Sequence, residues 1–495
     1  MLGKKRRQQS IFYFFRIEDF IPKDHILKLI NRHIDFSFIY PKVKHLYSHT
    51  GRPSIDPVVL IKMLLIGYLF GITSERKLCE EVSMHIGYRW FIGLDMNDKV
   101  PDHSSFSKNR HGRFKESDIF QEIFDEIVRR CIEFGLVSGR HITADGTLVK
   151  ANASMKSMEP IVVEMDSKEY IKRVEEENPV DEPWEPDDEF KHRGERISNK
   201  THRSKTDPDA KLARKGKSGA VLAYGVNYLM DNKNRIIVGV KAEKPDKGGE
   251  MRAAIGMIRG VKWKYKLRPK TLGGDKGYSA GEFLYQLINE GITPHIPVKD
   301  THHEKEKGIY PIEEFKYDAD RDEYICPQGK SLKYHGIQKL SRQIVYRASV
   351  RDCKSCCVKG ECTRDRARSI SKHIYREYIT YAIAQTRTFS YRVSQRKRKQ
   401  IEGLFGEAKE QMGLRVAKFR RRWNVEEQFI MTALAQNIKR MVKLLEKMKG
   451  DQREAVKEGI ETLRRSNYSL RLSIFLFLIR LLVFVSIKYR ELCPR

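Results

Sequence analysis

The sequence predicts an α/β protein whose sheet follows an all-α N-terminal domain and is interrupted by a small cysteine-rich insertion. Apolar residues recur at helical spacing between residues 51 and 135. Short β-branched runs then alternate with helical segments. Five of the eight cysteines fall between Cys326 and Cys362. We predict an N-terminal segment (1–50), a helical domain (51–135), a core (136–300 with a polar insertion at 152–218, and 376–447), a cysteine-rich insertion (301–375) and a tail (448–495).

Composition narrows the class of protein. The 495 residues are 40% hydrophobic and 32% charged, which indicates a globular chain. The formal net charge of +30 favours a polyanionic partner, and nucleic acid is the usual one. A ribosomal or membrane-surface protein would share this charge, but the length and varied composition argue against the first.

Two segments of the sequence indicate where in the cell the protein is expected. The basic start, MLGKKRRQQS, is not followed by an apolar segment with a cleavage site, so we expect a cytoplasmic, nucleoid-associated protein. The apolar run from Leu472 to Ile487 contains Arg480 and is shorter than the ~20 residues that span a bilayer. We interpret it as a buried or partner-binding helix, and membrane association is not expected.

Helix-start signals divide the N-terminal domain. Asp56 followed by Pro57, Ser74 and Asp102 are each predicted to cap a helix. The third helix and the residues after it are basic, and two interpretations stay open: a helix-turn-helix-like reader of DNA, or a plain helical bundle with a solvated face. The basic residues concerned are Lys108, Arg110 and Arg113.

The core pattern begins at His141. The runs HITADGTLV, VLAYGVNYLMD and RIIVGVKA are predicted strands. A helix, a strand ending at TLGGDKGY, a second helix and the strand TPHIPVK follow. The order β, β, β, α, β, α, β is that of an RNase H-like core.

Two aspartates stand out within this pattern. Asp145 lies inside an apolar strand, where a carboxylate is costly unless it is paired or bound to metal. Asp275 lies at the end of a strand among Gly273, Gly274 and Gly277, and ligands gather at the carboxyl ends of strands in α/β sheets. Taken singly, each aspartate would more often be a cap or turn residue.

A third carboxylate lies on a predicted helix. Glu402 flanks an apolar stripe, with Arg398 and Lys409 on its own face. The stripe consists of Ile401, Leu404, Phe405, Ala408 and Met412. Spacing alone also allows an ordinary solvated face.

These segments together resemble the DDE insertion-sequence transposases. Asp145 in TADGTLVKANAS and Asp275 in GGDKGY look like the two aspartates of that class. Arg398, Glu402 and Lys409 match the tail of its Y-x2-R-x3-E-x6-K signature, but residue 395 is Gln where the signature has Tyr. Residues 51–113 resemble the N-terminal domain of the same group.

The resemblance implies metal-dependent DNA cleavage and strand transfer at the ends of a mobile element. Asp145, Asp275 and Glu402 would hold Mg²⁺ or Mn²⁺, and Arg398 and Lys409 would hold phosphates or orient Glu402. The implied partners are double-stranded DNA, as terminal inverted repeats and target, and a second copy of the chain on paired ends. The alternatives are a metal nuclease without strand transfer and a DNA-binding protein with an inactive centre.

The cysteines and a basic strip complete the prediction. Four thiols suffice for a structural Zn²⁺ site, although free buried thiols remain the alternative, and Cys357 lies outside this set. They are Cys326, Cys353, Cys356 and Cys362.

Downstream, basic residues alternate with Phe419 and Trp423, which suits either a DNA groove or a solvated loop. These basic residues are Lys418, Arg420, Arg421 and Arg422. Asn424 and Glu427 suggest a capping box for a helix reaching about Met448.

Overall fold

A computed structural model describes residues 16–465, apart from 49, 51–53, 115–116, 162–196, 215–218, 247, 299–308 and 339–341. The N-terminal region is helical, and its helices begin before residue 51. They are α1 (Ile26–His33), α2 (Ile39–Val43), α3 (Pro57–Leu69), α4 (Glu75–Met84), α5 (Ile86–Ile92), α6 (His103–Lys108) and α7 (Ile119–Glu133). The basic start, most of the polar insertion and the apolar run 472–487 lie outside the described residues.

The predicted helix starts are confirmed. At the starts of α3 and α6, the carboxylates of Asp56 and Asp102 accept backbone N–H groups. At the start of α4, the hydroxyl of Ser74 does the same. The single helix predicted after Ser74 is wrong, because the chain turns extended at His85. The His85 ring nitrogen Nδ1 then accepts from the N–H groups of Gly87 and Tyr88 and starts α5.

The five predicted strands form a six-stranded mixed sheet together with one strand that was not predicted, Lys211–Ala213. Its strands are β1 (His141–Lys150), β4 (Lys211–Ala213), β5 (Val221–Asp231), β6 (Ile236–Glu243), β7 (Thr271–Gly273) and β8 (Thr293–His295). β1 pairs antiparallel with β5 and parallel with β7, and β7 pairs parallel with β8. Both β4 and β6 pair antiparallel with β5. A separate two-stranded ribbon joins β2 (Met158–Pro160) to β3 (His202–Ser204).

Helices pack against this sheet and join it to the N-terminal region. They are α8 (Gly249–Tyr265), α9 (Gly281–Asn289), α12 (Arg376–Thr386), α13 (Phe389–Gln411) and α14 (Arg422–Arg465). α14 contacts β6 as well as α1, α3 and α7, so one continuous hydrophobic core runs through both regions. None of the helices in the described part of the chain is long and apolar enough to cross a membrane.

The start of α14 differs from the prediction. The helix begins at Arg422, ahead of the expected cap, and extends to Arg465. Asn424 therefore lies inside the helix, where its amide donates to the carbonyl of Arg420. The capping-box prediction is wrong because Asp207 and Asp209, from a distant segment, accept the N–H groups of Arg421 and Arg422 and so start the helix ahead of Asn424.

The cysteine-rich segment forms its own antiparallel sheet in the order β13-β12-β11-β10-β9. The strands are β9 (Lys316–Asp318), β10 (Glu323–Ile325), β11 (Ser331–Gln338), β12 (Gln343–Ala348) and β13 (Ser369–His373), with short helices α10 (Val350–Lys354) and α11 (Lys359–Cys362). A separate small core fills it, consisting of Phe315, Tyr324, Leu332, Tyr346 and Ile370.

Candidate active site

Asp145 lies in the middle of β1, at the centre of the six-stranded sheet. Its strand is paired on both sides, opposite Tyr228 of β5 and alongside β7. The side chain is only 15% exposed, and one carboxylate oxygen accepts the N–H of Gly146 at 2.8 Å. A carboxylate is thus held in a mostly buried place, where its charge is costly unless it is paired or bound to metal.

Asp275 follows the end of β7, the parallel neighbour of β1. Its carboxylate oxygen Oδ1 accepts the N–H of Gly277 at 2.8 Å, which caps a short 3-10 turn at Lys276–Tyr278. Because β1 and β7 run parallel, this loop leaves the sheet on the side where β1 continues past β7 to Asp145. The two aspartates therefore lie close enough to interact electrostatically.

Burial raises the pKa of Asp145 from the ordinary 3.8 to about 6. The negative charges of Asp275 and Glu250 act in the same direction, while the Gly146 N–H and the Arg398 guanidinium oppose it. Loss of hydration disfavours the charged form, and nearby carboxylates add repulsion. The site therefore favours the arrival of positive charge.

One face of helix α13 packs against β1 and β7. Arg398 on that face is 3.9 Å from a carboxylate oxygen of Asp145 and 3.3 Å from one of Glu402. Two turns after Glu402, the ammonium of Lys409 donates to the hydroxyl of Thr147 at 2.7 Å. The predicted apolar stripe is confirmed, since Ile401, Leu404, Phe405, Ala408 and Met412 are all buried.

Glu402 itself is 58% exposed in its side chain, and Arg398 lies between it and Asp145. No group of three or more His, Cys, Asp or Glu side chains within the described ranges is arranged to hold a metal ion. The structure thus brings Asp145 and Asp275 together and links Glu402 to Asp145 through an arginine.

Sequence reasoning missed three residues of this neighbourhood. Glu250, in the first turn of α8, lies so near β1 that a Cβ on Gly146 would stand 2.9 Å from its carboxylate oxygen. Tyr278 of the GGDKGY motif is 1% exposed, and burial followed by the charges of Glu250, Asp145 and Asp275 raises the pKa of its hydroxyl. Gln395 contacts the Asp275 loop. The GGE start of α8, shortly after β6 ends at Glu243, was the available signal for Glu250.

The thiols of Cys326, Cys353 and Cys356 lie near that of Cys362, although the four are not arranged as a metal site in the described part of the chain. Burial raises the pKa of the Cys362 thiol, and the nearby thiols of Cys353, Cys326 and Cys356 add to this effect. The sulfur of Cys326 accepts the N–H of Lys330 at 3.3 Å. Cys357, outside the predicted set, is exposed.

The predicted basic residues fall into two groups. Lys108 and the strip residues Arg420, Arg421 and Arg422 are exposed. Arg113 is instead used by the fold: it donates to Ser54 and Asn109 and lies over the ring of Tyr47 at 4.0 Å. The side chain of Arg110 lies outside the described residues.

The backbone of the strip is fixed to the rest of the molecule. The N–H of Arg421 donates to Asp207 and that of Arg422 to Asp209, both at 3.0 Å. Arg420 donates through Nε to the carbonyl of Asn152 at 3.0 Å. Lys418, just before the strip, is half-buried over the ring of Tyr68 at 4.4 Å. The strip therefore holds a fixed position next to the sheet that carries Asp145.

Two family models match the chain. One is described as Transposase domain (DUF772) and covers residues 15–112; the other is described as Transposase DDE domain and covers residues 325–442. The second match includes Glu402 and the helix that packs on the aspartate-bearing sheet. Residues 15–112 and 325–442 thus match transposase families, and these matches support an insertion-sequence transposase of the DDE type.

No curated protein matches the chain. Among solved structures, the piggyBac transposase synaptic complex with hairpin DNA aligns at 10% identity over 84% of this chain and 74% of that chain, with a TM-score of 0.32. The Mos1 mariner paired end complex with Mn aligns at 13% identity over 50% and 61%, with a TM-score of 0.15. At such TM-scores neither likeness supports a conclusion, and the family matches alone carry the assignment.

Proposed function

We propose that Asp145, Asp275 and Glu402 are the carboxylates with which this transposase cuts DNA and joins the released ends to a target, in an RNase H-like core. The strand order, with β5, β1, β7 and β8 adjacent in that sequence, supports such a core. One observation carries the proposal: Arg398 of α13 lies within 4 Å of both Asp145 and Glu402, on a helix packed across the strand that leads to Asp275.

The three carboxylates suit a divalent metal ion. The pKa of about 6 at Asp145 reflects unrelieved burial and repulsion, and Arg398 already provides a positive charge between Asp145 and Glu402. Carboxylate oxygens favour Mg²⁺ or Mn²⁺ over softer metals. Asp145, Asp275 and Glu402 would hold the ion, which when bound activates the attacking oxygen and stabilises the leaving one.

The chain's own basic residues position the acids. Arg398 keeps Glu402 turned towards Asp145, and Lys409 ties α13 to β1 through Thr147. When DNA enters, these two cations are well placed to meet the negative phosphate beside the carboxylates. Removal of Lys409 should therefore cost less than removal of a carboxylate.

DNA is the partner of a transposase, and we assign its contacts to the exposed basic surfaces. Lys108, Arg420, Arg421 and Arg422 would contact phosphates of the terminal inverted repeats or the target. Trp423, 44% exposed beside the strip, offers a stacking surface. We further propose that two copies act on paired ends, in the cytoplasm.

The cysteine sheet is proposed to hold one structural Zn²⁺ through Cys326, Cys353, Cys356 and Cys362. The supporting observations are that the thiols of Cys326, Cys353 and Cys356 lie near Cys362, and that the Lys330 N–H points at the Cys326 sulfur. An N–H directed at sulfur stabilises a thiolate, which is the form that binds zinc. The bound ion would supply the structural cross-link that a small core lacks.

Substitution of each carboxylate tests the proposal. Asp145→Asn, Asp275→Asn and Glu402→Gln preserve shape, so each should reduce cleavage and strand transfer by about 10³-fold or more while DNA binding stays near wild type. Lys409→Ala should lose less. The measurement is cleavage of DNA carrying the element ends in Mg²⁺, followed by joining of 3′-hydroxyl ends.

Glu410→Gln is the matched control, because Glu410 lies on the same helix, is exposed and pairs with Arg415. It should cut and join as wild type does. Wild-type cleavage by Asp275→Asn would refute the assignment of the site. Cleavage by the wild-type protein without any joining would refute the strand-transfer step alone.

A further inference from the structure

Residue 395 stands where the transposase signature has tyrosine, and its contacts show what the glutamine does instead. The Gln395 side-chain amide nitrogen donates to the carbonyl of Gly274 at 3.1 Å and to the carbonyl of His295 at 2.6 Å. His295 ends β8, and Gly274 is the residue between β7 and Asp275. One amide therefore joins the carboxyl ends of two neighbouring parallel strands.

The chemistry of the side chain suits this position. The His295 carbonyl also accepts the Gly274 N–H at 3.4 Å, and the Gln395 amide NH₂ group has two donor hydrogens for the two carbonyls. The place is enclosed: a Cβ on Gly274 would stand 3.3 Å from both Ile296 and Tyr278. A tyrosine hydroxyl could donate only one hydrogen bond here.

The position of Gln395 on α13 connects this contact to the acids. Gln395, Arg398, Glu402 and Lys409 recur at helical spacing on one face. Gln395 contacts the residue before Asp275, Arg398 contacts Asp145, and Lys409 contacts Thr147. The face that carries Glu402 is thus bonded both to the strand of Asp145 and to the loop of Asp275.

We propose that Gln395 is a positioning residue that sets the Asp275 loop in register with Glu402, so that the two acids reach the same divalent ion. The inference rests on the proposed function of the three carboxylates. Without the Gln395 amide, the loop that begins at Gly274 loses its tie to α13, and the distance from Asp275 to Glu402 is no longer held. Outer-shell partners of this kind change metal affinity by about 10-fold or more.

The test compares Gln395→Met with Gln400→Met in the full-length protein. Methionine keeps the length of the side chain and removes the donors, and Gln400 is an exposed residue of the same helix. Manganese binding is measured by electron paramagnetic resonance without DNA, and the metal concentration for half-maximal cleavage is measured with DNA. For Gln395→Met, we expect the manganese dissociation constant and the metal concentration for half-maximal cleavage each to rise about 10-fold, with cleavage recovering at high metal. For Gln400→Met, both quantities should stay unchanged.

A wild-type metal requirement in Gln395→Met would overturn the inference, as would a lower melting temperature with unchanged manganese binding, which would make the role purely structural. If the methionine variant does not fold, Gln395→Asn replaces it, because its amide is withdrawn by one methylene group and should give the same rise. Asp275→Asn, measured in parallel, separates the two ideas. Full manganese binding and cleavage by that variant would refute the proposed site itself, whereas its inactivity beside a normal Gln395→Met would refute only the positioning role.

Discussion

The two large sheets of the molecule differ greatly in the size of the hydrophobic core that supports their candidate functional side chains. The six-stranded sheet is packed between helices and buries Tyr224, Tyr228 and Leu229 completely. The five-stranded cysteine sheet encloses a core of five buried side chains and leaves Tyr334 and Ile337 about half exposed. Hydrophobic burial scales with the apolar area removed from water, so the first sheet is far better stabilised by packing alone.

This difference shows why each sheet can carry its polar groups. The hydrophobic core of the six-stranded sheet is large enough to keep the Asp145 carboxylate mostly buried. The raised pKa of Asp145 reflects the free-energy cost of burying its charge. The small sheet cannot rely on its core in this way, because small units usually need a metal or a disulfide. We therefore expect metals to act differently in the two: to relieve repulsion in the first and to hold the structure in the second.

The largest expected effect is loss of the cysteine sheet when zinc is removed. We predict about one zinc per chain, and structural zinc contributes roughly 10 kcal/mol or more to the folding of such units. Chelation should abolish protection from hydrogen exchange in β9 to β13 while β1 and β5 stay protected. Cys362→Ser should behave like the chelated protein.

Cys357→Ser is the control for that experiment and should retain zinc and protection, since Cys357 is exposed and is not one of the four proposed ligands. Zinc below about a tenth of an equivalent in protein purified without chelator, with all thiols freely alkylated in the folded state, would exclude the site. The two sheets would then differ in core size alone.

A smaller effect should appear at Asp145. Its pKa is about 6 in the folded protein against 3.8 ordinarily, so the folded state binds more protons between these values. The contribution of Asp145 to stability is full below about pH 4 and is lost as pH rises through about 6. Metal-free Asp145→Asn should therefore be more stable than wild type at pH 8, by about 1–3 kcal/mol, and the advantage should disappear near pH 4.

Urea unfolding of both proteins at the two pH values measures this difference. Asp246→Asn, at an exposed carboxylate paired with Arg252, should show no comparable gain. Divalent metal should reverse the order at pH 8, because an ion held by Asp145 stabilises only the wild-type protein. Equal stability of wild type and Asp145→Asn at pH 8 without metal would show that burial of this carboxylate carries no cost.

The smallest effect on the fold is expected at the basic strip beside the large sheet. Replacing Arg420, Arg421 and Arg422 with Ala should weaken binding to any DNA and reduce the salt slope by about one unit per lost phosphate contact. Arg420 should also contribute slightly to stability, through its bond to Asn152. Arg415→Ala is the control, since Glu410 already pairs with that charge. An unchanged salt slope would assign the strip to folding or to solvent.

The sequence by itself determined the features that depend on neighbours along the chain. The caps at Asp56, Ser74 and Asp102 and the apolar stripe beside Glu402 follow from short-range spacing, and the structure has them where they were predicted. The strand and helix order of the core was predictable for the same reason. The capping box at Asn424 failed because Asp207 and Asp209, far away in the sequence, accept the N–H groups at the start of α14.

Tertiary structure alone decided which polar groups meet. Periodicity places Arg398 and Glu402 on one helix face, but the approach of Arg398 to Asp145 joins segments far apart in the chain. The bonds from Gln395 to two strand ends, and the raised pKa of Asp145, likewise depend on how α13 and the sheet pack. Burial and long-range pairing depend on the whole packed assembly of elements, and spacing along the sequence does not encode them.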